Sequence, residues 1–397
     1  MTGRPRRAAA GMSGLALGAV LALAPAGASH AQPPSPAPAT SPAPASPSPL
    51  PPPTITHGLS ALAPTRAAAV EAAIAAAMRR LGVPGLSAAV VVDRELRWSA
   101  GFGLADVEND VPATPATVYR LASVSKPITA TAVLALADKG RLDLDAPIQR
   151  YVPSFPVKPW PLTVRELLCH QAGIRNWTEE EFHSTRRYTS LMDAVAVFKD
   201  DPLLFEPGTS THYTSFGFTL LGAAVEGASG LPFVDELRAS VLEPAGMDSA
   251  RDDDVLAIIP HRAEGYQRGP GGPLLNAPLS DTSNRLPGGG LVASVEDVAR
   301  FASAFQRGLL LKPETAQLAL TPQPLRSGRA TGYGLGWVLG HAGRRREAYH
   351  VGGQPQVSTV LYMLPSSGTA VAVLADLEGV ENALLDLARE VAAKAAP

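Results

Sequence analysis

The order of the periodic segments constrains the fold of this chain more than any other feature of its sequence. Near the start, Thr65–Leu81 has apolar residues at helical spacing, and two β-rich runs, Leu86–Val92 and Leu96–Phe102, follow it as a hairpin. The chain ends in the reverse order, with strand-like runs followed by an amphipathic helix over Glu381–Lys394. The segment Leu142–Leu286 in between consists mainly of short helices and loops.

Two terminal blocks of this kind predict a shared sheet. The expected C-terminal strands are Tyr333–Leu339, Arg346–His350, Val357–Leu364 and Ala370–Ala375. One more apolar helix, Ser123–Lys139, is expected before the middle segment, and Gly140 ends it. We therefore predict an α/β chain of the α+β type. Both termini build one antiparallel sheet, which the terminal helices flank, and an all-α lobe is inserted between them.

The first 31 residues are typical of an export signal. Three arginines precede the apolar stretch Met12–Ala24, and Ser29-His30-Ala31 supplies a small-residue cleavage site. The stretch is shorter than the roughly 20 residues of a bilayer span, but an uncleaved signal would still tether the protein to a membrane. A mitochondrial presequence would spread its arginines along an amphipathic helix, whereas here they all precede a plain apolar run. We expect export to the periplasm or the extracellular space of a bacterium.

Residues 32–55 form a second distinct segment, in which proline, alanine and serine dominate. This composition favours an extended polyproline-II linker that cannot build a core. The linker would hold the protein away from a membrane surface or let it reach through cell-wall polymer; a leader without function is the alternative. Residues 56–397 are then the folded domain, with an α/β lobe of about 56–141 and 288–397 and a helical lobe of about 142–287.

Charge and metal-binding residue types exclude several classes of function. The 397 residues have a formal net charge of −2 at pH 7, which argues against a nucleic-acid-binding surface. Cys169 is the single cysteine, so an intrachain disulfide and a cysteine-rich metal site are excluded. The eight histidines show no metal-ligand spacing. We expect no metal, no cofactor and no nucleic acid, and a small molecule or peptide as substrate. No feature indicates an oligomeric state.

The strongest chemical motif is Ser123-Val124-Ser125-Lys126, a serine followed three positions later by lysine. On a helix these two positions share a face, so the Lys126 amine would lie against the Ser123 hydroxyl. The positive end of the helix dipole would favour a developing alkoxide at Ser123. An N-cap serine with a surface lysine is the alternative. Lys126 stands in an apolar helix start, however, where a lysine without a function is costly.

A second element is Tyr213-Thr214-Ser215, on an expected loop. The Tyr213 phenol and the Ser215 hydroxyl would project together into a cleft. If a neighbouring lysine depresses its pKa, Tyr213 can shuttle a proton to or from Ser123. A turn with a half-buried tyrosine is the alternative.

A third element, His350-Val351-Gly352-Gly353, stands at the end of an expected strand. The glycines Gly352 and Gly353 would allow a substrate to approach the strand edge closely. The N–H of Gly353 would complete an oxyanion hole with the N–H of Ser123. A glycine pair at a hairpin rim, with His350 facing solvent, is the alternative.

With these three elements in this order, the chain resembles the class C β-lactamase-like branch of the penicillin-binding-protein superfamily, from about Leu59 to Lys394. Further stretches that carry the resemblance are Gly101-Phe102-Gly103, Leu167–Ile174, Phe205–Gly208, Glu243–Met247, Gly288–Leu291, Tyr333–Trp337 and Leu364-Pro365. Within the branch it resembles most the mitochondrial serine β-lactamase-like proteins and their bacterial relatives. The supporting runs are Gly173–Asn176, Phe198–Leu203 and Tyr213–Gly222.

The resemblance implies a β-lactamase/transpeptidase-like fold with Ser123 as the acylated nucleophile. It also implies Lys126 and Tyr213 as acid–base partners, and His350 with Gly352 as the third wall of the site. A true β-lactamase usually has lysine where His350 stands, and a mostly neutral histidine would hold a substrate carboxylate less well. Asparagine is common where Ser215 stands.

The histidine at position 350, where a true β-lactamase usually has lysine, narrows the range of expected substrates. We expect a secreted active-site-serine hydrolase that forms an acyl-enzyme with a peptide, such as a D-amino-acid wall peptide, or with an ester. Its β-lactamase activity would be weak or absent. A true class C-like β-lactamase and a non-hydrolytic penicillin-binding sensor or scaffold are the alternatives.

Overall fold

The computed structural model describes residues 53–396. The expected signal and residues 32–52 of the expected linker lie outside this range. The strands of the described part are β1 (Ile55–Ser60), β2 (Gly85–Val92), β3 (Glu95–Asp106), β4 (Val111–Pro112), β5 (Val118–Arg120), β6 (Arg251–Asp252), β7 (Tyr266–Arg268), β8 (Leu274–Asn276), β9 (Leu291–Ser294), β10 (Val338–Ala342), β11 (Arg345–Gln354), β12 (Val357–Leu364) and β13 (Thr369–Ala375).

The helices of the same range are mostly short in the middle of the chain and long near its ends. They are α1 (Pro64–Leu81), α2 (Ser125–Asp138), α3 (Val164–Leu168), α4 (Glu179–Phe182), α5 (Leu191–Val195), α6 (Phe216–Ser229), α7 (Phe233–Leu237), α8 (Glu243–Ala245), α9 (Leu286–Gly289), α10 (Val295–Gln306), α11 (Pro313–Ala319) and α12 (Glu381–Ala395). A 3₁₀ turn over Ala122–Val124 leads directly into α2.

The main sheet is antiparallel and has the strand order β1-β3-β2-β13-β12-β11-β10, with β4 paired to β3. The N-terminal and C-terminal strands meet where β2 pairs with β13, as in the pair Val90↔Val371. Every residue of β2, β12 and β13 is buried, because helices cover both faces of the sheet at this point. The predicted α+β fold, with one antiparallel sheet made from both termini, is confirmed.

Helices α1 and α12 cover one face of this sheet. Val70 and Ile74 of α1 and Leu384 and Val391 of α12 belong to one buried cluster with the sheet residues. Helix α1 begins with proline at its first position, where the missing N–H costs no hydrogen bond, and ends at Gly82 with φ +65°. The two terminal helices therefore pack side by side on the sheet.

Helix α2 lies in the larger cluster on the opposite face of the sheet. The first twelve of its residues, Ser125–Leu136, are all buried, so this helix runs through the core rather than along the surface. The sequence predicts one helix over Ser123–Lys139. In the structure, Ser123 lies in the 3₁₀ turn, and the α-helix begins two residues later at Ser125.

One predicted strand, Tyr333–Leu339, is largely wrong. Strand β10 begins only at Val338, because Gly336 has φ +81° and turns the chain there. A β-carbon at Gly336 would lie 2.2 Å from the Ala130 methyl, so the glycine also lets this turn pack against α2. Strand β11 is longer than expected and continues to Gln354, and β1 was not anticipated beside the proline-rich segment.

No single helix among residues 53–396 is long and apolar enough to cross a bilayer. Two consecutive segments, Phe216–Ser229 and Phe233–Ala245, reach that length and composition together, with an 81° bend between them.

Candidate active site

Ser123 lies where β5 passes into α2, on the 3₁₀ turn. The preceding residue, Ala122, has φ +47°, a left-handed conformation that non-glycine residues rarely adopt. Tertiary contacts hold this conformation. The Leu121 carbonyl accepts a hydrogen bond from Thr359 Oγ1 at 2.7 Å, and the Leu121 N–H donates to Leu291 O at 2.8 Å. The nucleophile candidate is thus fixed between β12 and β9 before helix α2 begins.

Lys126 is completely buried, and its amine contacts three oxygen atoms. Nζ lies 3.0 Å from Ser123 Oγ, 2.8 Å from Ser215 Oγ and 2.7 Å from the Gly288 carbonyl oxygen. Burial lowers the pKa of the Lys126 amine well below its usual value, and the nearby positive charge of Arg285 lowers it further. The structure therefore brings Ser123 and Lys126 together as expected and favours the neutral form of the amine. The Ser215 hydroxyl contacts this amine instead of projecting into the cleft with Tyr213, as the sequence predicts.

The hydroxyl of Ser215 is free to contact Lys126 because of its position on α6. Ser215 is the residue before the first turn of this helix, and its side chain makes no capping bond there. Its backbone N–H instead donates to Asn176 Oδ1 at 3.0 Å. Gly288 belongs to the short helix α9, and the carbonyl oxygen of Gly288 is the third atom that contacts Lys126 Nζ.

Tyr213 lies beside the same amine, with Lys126 Nζ 4.7 Å from the centre of its ring. Burial raises the pKa of the Tyr213 phenol above its usual value, and a hydrogen bond with Ser123 lowers it by a smaller amount. The depressed pKa considered from the sequence is therefore not what the structure shows, because the desolvation of the ring outweighs its polar neighbours. Tyr213 is a protonated phenol in contact with the candidate nucleophile.

His350 lies on β11 with its ring buried in the cleft, so a solvent-facing histidine is excluded. Its Nδ1 donates to the Val351 carbonyl oxygen at 2.7 Å, which leaves Nε2 as a hydrogen-bond acceptor when the ring is neutral. Burial is the main cause that lowers the pKa of His350 to about 3, and Lys126 adds to it when its amine is protonated. The ring is therefore neutral at physiological pH.

Gly352 and Gly353 lie on opposite faces of β11. A β-carbon at Gly352 would be 2.6 Å from the Leu121 carbonyl oxygen and 3.0 Å from the Ala122 methyl, so this glycine lets the 3₁₀ turn pack against the strand. Gly353 is exposed and lines the cleft with Ser123. The role of the Gly353 N–H in an oxyanion hole stays a prediction.

The cleft in front of Ser123 has a volume of about 370 Å³. It opens along β11 because β10 pairs with this strand only as far as Tyr349, opposite Val338. Side chains from several elements line it: Trp177, Tyr213, Tyr333, Val338, Tyr349, His350, Val351, Glu381, Asn382 and Leu385. An extended substrate can lie along the uncovered part of β11 with a carbonyl group next to Ser123.

Two buried residues that support the site were not singled out from the sequence. His170 has φ +61° and accepts a hydrogen bond from the Thr214 N–H at 3.2 Å. Its ring packs against the Tyr213 ring at a tilt of 39°, with the ring centres 4.5 Å apart. Arg120 Nε contacts Asp253 Oδ2 at 2.8 Å. These contacts join elements that are distant in sequence, so spacing along the chain does not reveal them. The one signal is that His170 lies in Leu167–Ile174, a stretch that carries the family resemblance.

This arrangement can carry out nucleophilic acyl transfer. A neutral Lys126 amine can take the proton of the Ser123 hydroxyl, and the Tyr213 phenol can give one to a leaving group. Among residues 53–396, no three His, Cys, Asp or Glu side chains lie close enough to hold a metal ion.

The chain is similar to a known family and to several known proteins. The family model described as Beta-lactamase matches residues 70–395. The human serine beta-lactamase-like protein LACTB, mitochondrial, is 29% identical over 380 residues, which cover 72% of this chain and 69% of that protein. Esterase EstB of Burkholderia gladioli is 30% identical over 328 residues, which cover 73% of this chain and 82% of that protein.

A solved structure shows the same fold. The D-amino acid amidase from Ochrobactrum anthropi SV3 superposes with a TM-score of 0.72 at 22% identity, covering 83% of this chain and 98% of the amidase. At this identity the likeness concerns the fold alone.

Proposed function

Because the chain belongs to the beta-lactamase family and is a serine hydrolase of its superfamily, we propose that it cleaves peptide or ester substrates through an acyl-enzyme on Ser123. Lys126 acts as the base and Tyr213 as the acid. D-amino-acid wall peptides belong to the proposed substrate class, and β-lactams are poor substrates.

Acylation begins when the Lys126 amine takes the proton of the Ser123 hydroxyl. The Ser123 oxygen attacks the substrate carbonyl, and the backbone N–H groups of Ser123 and Gly353 hold the oxyanion. Tyr213 donates its proton to the leaving group as the carbonyl–leaving-group bond breaks, and the proton on Lys126 then restores the phenol. A water molecule attacks the acyl-enzyme, gives up its proton to the same groups, and releases the acid and free Ser123.

The contact between Lys126 Nζ and Ser123 Oγ, at 3.0 Å, carries this proposal. A buried amine with a lowered pKa next to a serine hydroxyl is an arrangement that a purely structural lysine would not need. The strained Ala122 before Ser123 and the open edge of β11 support the same assignment.

Neutral His350 supports the preference for peptides and esters over β-lactams. It offers an acceptor nitrogen, and not a positive charge, to a substrate carboxylate. One of the relatives is an esterase by name, which fits the proposed ester substrates.

Labelling with a fluorophosphonate tests the nucleophile. The protein should be labelled stoichiometrically, and Ser123→Ala should abolish the label because the attacking oxygen is gone. Retained labelling would exclude Ser123. A panel of a p-nitrophenyl ester, a D-Ala-D-Ala peptide and a chromogenic cephalosporin then ranks the substrates. Fast cephalosporin turnover would contradict the proposed ordering.

We also propose that the protein is exported and acts in the periplasm or outside the cell, attached to or near the wall or membrane through residues 32–55. The basic and apolar N-terminal pattern supports this. Mass spectrometry of the native protein should find a new N-terminus close to residue 32; an intact Met1 start in a soluble cytoplasmic fraction would contradict export.

A further inference from the structure

Glu381 supplies the one carboxylate among the described residues that line the cleft. Glu381 is the first residue of α12, and Ser358 Oγ donates to its Oε2 at 3.4 Å. A β-carbon on Gly353 would lie 3.0 Å from the Glu381 carboxyl carbon, so this carboxylate faces the open end of β11. It lines the same cleft as Ser123.

Aromatic rings make up much of the remaining wall. Trp177, Tyr213, Tyr333 and Tyr349 line the cleft together with Glu381. Burial raises the pKa of both Tyr213 and Tyr333, so these phenols carry no charge at neutral pH. An aromatic ring attracts an ammonium group through its quadrupole, and the Glu381 carboxylate in the same cleft attracts it through its negative charge.

The basic groups near the cleft do not offset this negative charge. Lys126 is buried behind Ser123 with a lowered pKa, and His350 is neutral. Arg389 lies over Tyr349 at 5.6 Å, but its guanidinium already binds the carboxylates of Glu347 at 2.7 Å and Asp386 at 3.2 Å.

Arg285 lies over Trp177 at 5.8 Å, but it is buried and donates to Asn284 and to the Phe182 carbonyl oxygen. Among the described residues, no lysine or arginine lines the cleft itself. A carboxylate next to the scissile bond, as in a D-Ala-D-Ala peptide, would therefore be repelled by Glu381, which ranks such peptides below amides and esters without that carboxylate.

We propose that the preferred substrates carry a positively charged amine close to the scissile carbonyl, and that Glu381 binds this ammonium group. This inference rests on the proposed acyl-enzyme mechanism and specifies its substrate class: aminoacyl amides, peptides or esters with a free amino group. Glu381 is a specificity residue in this account and takes no part in the proton transfers.

Phosphonates that trap the active-site serine give the sharpest test. Diphenyl 1-aminoethylphosphonate has a free ammonium group, and its N-acetyl and N-succinyl derivatives are neutral and anionic at the same position. In each reaction Ser123 Oγ forms a bond to phosphorus, and one phenoxide leaves and takes up the serine proton as phenol. We expect the second-order rate constant to fall from the ammonium probe to the neutral probe and again to the anionic probe.

Glu381→Gln should lower the rate constant of the ammonium probe by about tenfold to a hundredfold, the range of a charge-assisted hydrogen bond. The rate constant of the neutral probe should change by less than about twofold. If Glu381 had only a structural role at the start of α12, its replacement would instead lower the rate constants of both probes. Glu378→Gln is the matched control, because Glu378 lies three residues earlier and its carboxylate accepts a bond from the Gln356 N–H at 3.3 Å outside the cleft.

The outcomes separate the two proposals. Absence of labelling by both phosphonates and fluorophosphonate would overturn the serine mechanism itself. Fluorophosphonate labelling combined with equal rates for the three phosphonates, or with no reaction of the ammonium form, would overturn the amine preference and leave the serine mechanism standing. The order of the three phosphonate rate constants on the unmodified protein tests the amine preference even if Glu381→Gln does not fold.

Discussion

A neutral lysine amine has two N–H donors and one lone pair, and three oxygen atoms surround Nζ of Lys126. The Gly288 carbonyl oxygen can only accept a hydrogen bond, and Ser215 Oγ takes the second donor. The lone pair is then left for the Ser123 hydroxyl at 3.0 Å. This hydrogen-bond arrangement supports the proposed role of Lys126 as the base and of Tyr213, whose pKa is raised, as the proton donor.

The pH dependence of acylation should report the titration of Lys126. Because the neutral amine is the active form, kcat/KM should rise with pH and level off well below the usual lysine pKa. Lys126→Met should lower kcat/KM by about 100- to 10,000-fold, the range of general-base catalysis, and remove that limb of the profile. Lys126→Arg is the control that keeps N–H donors at this position but stays protonated, so it offers no usable base. A variant profile with the same limb would assign it to another group.

Replacing His350 should change how the acylation rate depends on the charge of the substrate. His350→Lys introduces a cation where the neutral imidazole now stands. We expect acylation by a carboxylate-bearing cephalosporin to rise by about tenfold, the value of one charge-assisted hydrogen bond. A neutral p-nitrophenyl ester serves as the matched substrate and should gain nothing. An equal gain for both substrates would argue against a carboxylate contact.

Local spacing reveals only part of this site. Ser123 and Lys126 are found from the sequence because three residues on a helical backbone bring their side chains together. Glu381 gives no such signal, since an acidic residue in the first turn of a helix is common for reasons of helix stability. Its position in the cleft depends on how α12 packs on the sheet, which spacing along the chain does not encode.

Strand β11 and the 3₁₀ turn that carries Ser123 form the central contact between elements. They approach closely at Gly352, while Thr359 of the neighbouring strand binds the Leu121 carbonyl. Glycines in β11 were expected to make room for a substrate. The structure shows that Gly352 makes room for the protein's own backbone.

Gly352→Ala should therefore displace the nucleophile. Its β-carbon would lie 2.2 Å from Thr359 Oγ1 and 2.6 Å from Leu121 O, so the turn must shift. Overpacking of this kind lowers the free energy of unfolding by about 1–3 kcal/mol. We also expect kcat of the folded variant to fall, because the shifted turn misplaces the nucleophile. Gly332→Ala is the control, because its β-carbon would meet only Leu339 O, at 3.7 Å. Thermal unfolding and kcat check both variants; unchanged kcat in Gly352→Ala would contradict the packing role.

The long helices and most strands of the two terminal blocks could be predicted because they are strongly periodic, whereas β1 was not predicted. The error at Tyr333–Leu339 has a specific cause, since the apolar run contains Gly336, whose positive φ turns the chain toward α2. Apolar Leu335 and Trp337 are buried in that turn rather than in a strand. An apolar run of this length does not distinguish a buried turn from a buried strand.

At the level of the whole chain, the sheet depends on the joining of its first and last strands. Asp376, directly after β13, accepts a hydrogen bond from the Gly85 N–H at the start of β2 at 2.9 Å. This carboxyl is completely buried, and burial raises its pKa well above the usual value. It therefore holds the two terminal blocks together best in its protonated form.

A carboxyl with a higher pKa in the folded state binds more protons when folded, so stability falls as pH rises above its unfolded pKa of about 4. The fall continues until the folded pKa is reached. Asp376→Asn keeps the acceptor oxygen and has no proton to lose. We expect its free energy of unfolding, measured by denaturant titration at pH 5, 7 and 9, to fall less with pH than that of the unmodified protein. Parallel curves would show that Asp376 does not titrate in this range.

The most direct test of the account is to isolate the covalent intermediate on Ser123. The protein is mixed with a p-nitrophenyl ester, quenched in acid within the first turnover, digested, and analysed by mass spectrometry. The account predicts a burst of about one p-nitrophenolate per active site, and the mass of the acyl group on the peptide that contains Ser123. Ester hydrolysis with no acyl adduct, or with an adduct on another residue, would contradict it.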